Sequence, residues 1–419
     1  MSAPATSTTS ATPADSAAAT ARRSHTAPRT LKTCCGAHIV HDGLSDVSYV
    51  LLPLLAQTFG LNLAQVGAIR TAHRVAMAAF QLPAGLIAER FGERNLLALG
   101  TLLAGLAFVA LGFASGFWMI LIALFFAGMG SAVQHPLSST IISHAYPGEG
   151  RRSALGTYNF AGDVGKFLFG GMVSLCVVAG ISWQTPVVGF GVVALVTAFV
   201  IFAWIANTHT PASRGDKNAK PKTPGWGIRN KPAFVALCTV DMIDSLTRTG
   251  FLTFIAFLLI AKGVPSGWAA LAVPLVLVGG MAGKYFCGVL AERVGVIRTI
   301  VITELATGIG ILATLPLPGT AAFLLLPLVG VVLQGTSSVI YGTIGDLVEP
   351  DKLPRAFGMV YTVGAVSGII GPLVYGFLGD AIGVEKTIAI AGGVVLLTLP
   401  LAMVLRAAIS ARPARRAVS

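Results

Sequence analysis

Apolar residues fall in long blocks separated by short polar breaks along most of the chain. A helix rises 1.5 Å per residue and needs ~20 mainly apolar residues to cross the ~30 Å of hydrocarbon in a bilayer. Blocks of that length lie near 34–57, 66–88, 95–114, 117–146, 153–180 and 185–206, and six more near 232–260, 268–291, 298–315, 320–347, 355–380 and 386–407. The pattern predicts an all-α polytopic membrane protein of twelve transmembrane helices in two six-helix halves, 34–206 and 232–407. A polar linker, 207–231, joins them. Residues 1–33 are rich in Ala, Ser, Thr and Pro, lack the apolar core of a cleavable signal, and read as a disordered cytoplasmic tail; 408–419 read as a second, short tail.

Composition agrees. Hydrophobic residues make up 54% of the 419 positions and charged ones 11%, more apolar surface than one soluble core can hide, so the solvent of this chain is lipid. A net charge of +12 would suggest nucleic acid as a partner of a soluble protein. Here the basic residues gather in short loops on one side, with only Lys262 and Lys386 opposite, which excludes that partner and places both termini and the linker in the cytoplasm of a bacterial inner membrane. The five cysteines show no metal-binding or disulfide spacing and read as helix-packing residues. No nucleotide-binding loop or soluble catalytic domain is visible, so neither an enzyme, an ATP-driven pump nor a cofactor is expected.

The chain repeats itself. GLIAERFGER, Gly85 to Arg94 after helix 2, returns as GVLAERVGVIR, Gly288 to Arg298 after helix 8, an offset of 203. Within one residue the same offset carries Ala154 and Gly156 onto Ala356 and Gly358, and Asp42 onto Asp244. Two halves related in this way place a substrate path at their interface, near the midplane.

Gly85, Glu89, Arg90, Gly92 and Arg94, with the second copy at Gly288, Glu292, Arg293 and Gly295, resemble the loop signature of the major facilitator superfamily. The resemblance spans 34–407 and implies two pseudo-symmetric halves, alternating access, and a cytoplasmic gate at these loops; the bland reading of the same residues is a tight turn with ordinary cytoplasmic arginines. HIVHDG (38–43), GMGSAVQHP (128–136) and RRSALGTYNFAGDVG (151–165) are further similar to the fosmidomycin-resistance branch of efflux proteins. That likeness implies export of a small anionic or drug-like compound in exchange for protons. The chain departs from antiporter patterns at Phe125 and Val331, where an arginine and its counterpart would fall, and at Gly170 in helix 5, while helix 11 keeps Gly364, Gly368, Gly371 and Pro372. Such glycines also serve close helix packing.

Eleven ionisable residues lie inside the spans: Asp42, Asp46, Asp163, Asp241, Asp244, Glu304, Arg70, Arg74, Lys166, Arg248 and Lys284. At ~3 kcal/mol each on insertion scales they would cost ~30 kcal/mol facing lipid, so they must face one another or a wet cavity. Helical spacing groups them into stripes. His38, Asp42 and Asp46 share one in helix 1 and are the candidate proton-coupling residues, since adjacent acids and a histidine suit proton exchange. Arg70, His73 and Arg74 in helix 2, Gln134 and His135 in helix 4, Asp163 and Lys166 in helix 5, and Asp244 and Arg248 in helix 7 are the candidate substrate-binding residues. Arginine suits carboxylate, phosphate or phosphonate. Internal pairing, Asp163 with Lys166 and Asp244 with Arg248, is the competing reading, and His38, His41, Asp42, His73 and His135 could instead gather round a transition metal. Glu304 and Lys284 stand isolated and receive no role.

The expectation is a monomeric secondary transporter that exports a small anion against protons, with uptake or transition-metal transport as alternatives and a membrane receptor or intramembrane enzyme outside the class. Cysteines placed in 207–231 should be labelled by an impermeant maleimide only from the cytoplasmic side; labelling from outside would invert the topology.

Overall fold

The computed structural model describes residues 13–146, 150–205, 226–349 and 353–410. Within them the chain forms α1 (Pro13–Phe59), α2 (Leu63–Phe91), α3 (Glu93–Gly112), α4 (Phe117–Ala145), α5 (Gly150–Val178), α6 (Gln184–Trp204), α7 (Lys231–Ala261), α8 (Ser266–Val294), α9 (Val296–Ala313), α10 (Gly319–Leu347), α11 (Leu353–Ile382) and α12 (Val384–Ala407). Eleven of these carry an apolar stretch long enough to cross a membrane. The other, α2, is 29 residues long and carries Arg70, His73, Arg74 and Gln81. Most of the expected linker and parts of both expected tails lie outside the described residues; α1 starts at Pro13, with its membrane-length part from Thr26.

Lipid and protein sort the side chains. Phe113, Trp118, Phe199, Leu324, Leu328 and Phe377 are exposed on the outer surface, where a bilayer solvates them, while the polar residues of α1 and α7 turn inward. Breaks in the helices have local causes. In α4 the helix interrupts at Ala132 and Val133, and Ala132 is the residue whose carbonyl the ring of Pro136, four positions on, obstructs. The break swings Gln134 and His135 toward α1 and α5. Gly92 and Gly295, equivalent in the two repeats, hold φ of 83° and 90° and donate their N–H to Ala88 and Ala291, so each signature loop is a left-handed turn that only glycine makes cheaply.

Both termini of this helical set emerge on one face, here called the terminal side. On the opposite, far side, the halves lock together. The Asp380 carboxylate at the end of α11 accepts from the backbone N–H groups of Leu63 and Ala64 at 2.8 and 2.9 Å, capping the start of α2, and Thr71 donates to the Ile369 carbonyl at 2.9 Å. Gly67 lies so close to the Pro372 carbonyl that any side chain there would collide with backbone. Gly67→Leu should therefore prise the far side apart. Spin labels at Gln57 and Ala261, both exposed at that end, are expected to move apart in the variant; an unchanged distance would show that the close approach at Gly67 does not hold the closure.

A charged cavity between the halves

Between the two halves lies a cavity of about 290 Å³, walled by α1, α2 and α5 from one half and α7, α8, α10 and α11 from the other. Four cations reach it, Arg74, Lys166, Arg248 and Lys284, with two acids, Asp46 and Asp163. Tyr49, Tyr341 and Tyr361 add aromatic wall, the last two with ring centroids 4.7 Å apart.

The charges form three linked groups. Lys166 stands 3.2 Å from Asp42 and 3.1 Å from Asp163, and Asp42 also meets His38 at 3.3 Å and His135 at 3.5 Å. His38 is fixed at its other nitrogen by the Tyr158 carbonyl, 2.7 Å away, and stacks on the Tyr158 ring at 3.9 Å. Gly162, with no side chain, lets this cluster fit against α5. Asp163 then takes a second lysine: Lys284, from the other half, binds both its oxygens at 3.0 and 2.9 Å. In the second group Arg70 donates to the Ser45 carbonyl at 2.9 Å and to the Ser48 hydroxyl, lies 3.5 Å from Asp46, and stacks 3.6 Å over the Tyr49 ring. In the third, Arg248 pairs with Asp244 at 3.5 Å and with the Ser245 hydroxyl at 3.0 Å.

Among the predicted substrate residues, Arg74, Asp163, Lys166 and Arg248 reach the cavity; Arg70, His73, Gln134, His135 and Asp244 do not line it. Arg70 is 1% exposed and spent on α1, and His73, also buried, sits beyond the wall. Asp244 lies behind Arg248. Both pairings foreseen within helices, Asp163 with Lys166 and Asp244 with Arg248, are formed. Lys284 is not isolated as the sequence suggested, because its partner is on another helix of the opposite half, which spacing along α8 cannot show. Tyr49, Tyr341 and Tyr361 went unremarked in the sequence, where aromatic residues in apolar spans read as packing.

The metal reading meets a physical obstacle. His38, Asp42 and His135 do offer three donor atoms within 4.8 Å of one another. The Lys166 ammonium occupies the same carboxylate, and His41 is turned away to Thr101 at 2.8 Å. A cation entering there must displace another cation. At the signature loops, Arg94 stacks 4.7 Å from the Phe202 ring centroid and bonds Asn95, while Arg90, Glu292 and Arg293 are exposed; the surroundings of Gly85 and Glu89 lie outside what is described, Gly288 lies within α8, and Gly295 caps its end.

The family model described as Major Facilitator Superfamily matches residues 34–344 and 242–418, most of the chain. The chain belongs to the Major Facilitator Superfamily. It is 26% identical over 365 residues to a Cupriavidus necator protein named "probable sulfoacetate transporter", covering 80% of this chain and 83% of that one. It is 24% identical over 381 residues to the fosmidomycin resistance protein of Escherichia coli, covering 89% and 92%. The crystal structure of the nucleoside transporter NupG superposes with a TM-score of 0.76 at 12% identity, covering 90% of this chain and 99% of that chain, a likeness of fold. As a member of this superfamily the chain is a secondary transporter of small molecules.

Arg70 and Arg74 lie one turn apart, yet their surroundings separate their roles. Arg70→Ala leaves Asp46 without its partner inside the protein and should destabilise by ~3–5 kcal/mol, read as a lowered unfolding midpoint in detergent. Arg74→Ala removes no carboxylate contact and should leave that midpoint within ~1 kcal/mol of wild type.

Proposed function

We propose that this protein carries a small organic anion by alternating access, coupled to protons. The observation that supports this reading is Arg74. It lines the cavity, its Nε is buried without a hydrogen-bond partner, and among the described residues no carboxylate lies within 4 Å of it, Asp46 acting on it only from farther off. Lys166 and Lys284 both meet Asp163, and Lys166 is shared further with Asp42. A guanidinium that holds no carboxylate directly keeps donors to spare, and an anionic cargo bound beside it would take them in charge-assisted hydrogen bonds. The Asp163 bridge to Lys284 spans the two halves, so an anion that competes for either lysine would loosen a contact between them, which ties cargo binding to movement. The sulfoacetate relative is named for an organic anion and agrees with this choice.

Coupling protons would enter the N-terminal half at Asp42 and Asp46, with His38 as the exchange partner of Asp42. With both termini cytoplasmic, as the loop charges indicate, the locked far side is periplasmic and the cavity is reached from the cytoplasm. Direction is read by the same vesicle assay with the proton gradient imposed either way.

The test is substrate charge. In proteoliposomes given matched aromatic and aliphatic solutes with and without a carboxylate or sulfonate group, wild type should take the charged set, and Arg74→Ala should reduce anion transport at least tenfold while changing any neutral flux little. Equal loss for both sets, or selective transport of organic cations, would defeat the anion reading.

A further inference from the structure

A second set of acids lies behind the cavity, in the C-terminal half, and no step described so far uses it. Asp241 and Asp244 on α7 and Glu304 on α9 are 0%, 1% and 0% exposed. Glu304 stands isolated in the sequence, yet its carboxyl group is shut inside the bundle. Three acids here face one cation, Arg248, which reaches only Asp244 within 4 Å. Neither oxygen of Asp241 nor of Glu304 has a hydrogen-bond partner, and all four are shut off from solvent.

The surroundings of Glu304 add a second, independent constraint. Thr336 of α10 and Thr398 of α12 face it, and Asp244 and Arg248 lie within electrostatic reach on α7. Each threonine hydroxyl also has a carbonyl of its own helix in reach, Val332 for Thr336 at 3.2 Å and Val395 for Thr398. With its hydrogen on that carbonyl, a hydroxyl presents only lone pairs to Glu304. A carboxylate, which only accepts, gains nothing there, whereas a protonated carboxyl has an O–H to give. Asp241 is comparably placed: Tyr341 of α10, Tyr361 of α11 and Cys238, Asp244 and Arg248 of its own helix lie within electrostatic reach, and the bare face of Gly364 brings α11 against its oxygen.

We propose that Asp241, Asp244 and Glu304 form a proton-holding site of the C-terminal half, in which Glu304 is protonated and gives its one O–H to a threonine oxygen. One arginine neutralises one of the three acids, and the other two are neutral only when each carries a proton. Arg248 connects this store to the cavity, because it touches Asp244 on one side and lines the cavity on the other. Cargo drawn to Arg248 would slacken its hold on Asp244, so this site deepens the anion-proton reading above and rests on it for its role in transport, though not for its existence.

Infrared spectroscopy tests it without any substrate. Wild-type protein in phosphatidylcholine–phosphatidylglycerol vesicles should show the carbonyl stretch of buried protonated carboxyl groups, shifted on exchange into D₂O, at neutral pH. Glu304→Gln should lose one carboxyl group's share of that band. Thr398→Val keeps the acid but removes a hydroxyl acceptor, and should move the band to higher frequency without reducing it. Loss in the first variant and a shift in the second support the site. A band absent from wild type, or one unchanged by Thr398→Val and by a folded Glu304→Gln, would overturn it while leaving the anion reading standing, since no transport enters the measurement.

Discussion

The cost of holding charge away from water governs this molecule. Each intramembrane ion must be matched within a few ångströms, and the match determines which helices touch. Asp42 draws His38, His135 and Lys166 together from three helices, and its glycine neighbour at 162 lets α5 come close enough. Asp46 holds Arg70 against α1. Asp163 reaches across the interface to Lys284. Without these pairings the polar stripes of α1, α2, α5 and α7 would face lipid, and none of those helices would be a favourable span.

Such matching is incomplete on purpose where the two halves meet. A transporter needs contacts that can be exchanged for contacts with a cargo, and fully compensated ion pairs make poor exchange partners. The far-side lock relies on backbone: a helix N-terminus capped by Asp380 and glycine-to-carbonyl approaches that leave no space for side chains. The interior link instead relies on long flexible lysines sharing a carboxylate. Stiff contacts at one end and soft, competed contacts in the middle give a hinge and a sensor in separate places.

How much of this the sequence disclosed follows from the range of the physics. Twelve helices and the two-fold repeat were legible, because hydrophobic length and the GLIAER and GVLAER loops are local properties. So were the pairs on one helix, Asp163 with Lys166 and Asp244 with Arg248, since three- and four-residue spacing fixes them. Pairings between helices were not. Nothing in the run of α2 says that Arg70 lies against Asp46 and Tyr49 while Arg74, one turn on, has no carboxylate within 4 Å, and nothing in α8 says that Lys284 finds an acid 121 positions away. The rotation of each helix about its axis decides such questions, and lone charges in apolar spans leave it open.

The two halves share an ancestry in sequence and differ in how they hold charge. Asp42 and Asp244 are equivalent by the repeat, and each has a basic partner. In the N-terminal half that acid is met by two histidines and by a lysine it shares with Asp163, so it is matched. In the C-terminal half its counterpart shares one arginine with two further acids, so the group is under-compensated. Paired charge in one half and acids in excess of their one cation in the other is an asymmetry a symmetric pore would lack. Arg248 joins the two, since it holds Asp244 on one side and lines the cavity between the halves on the other.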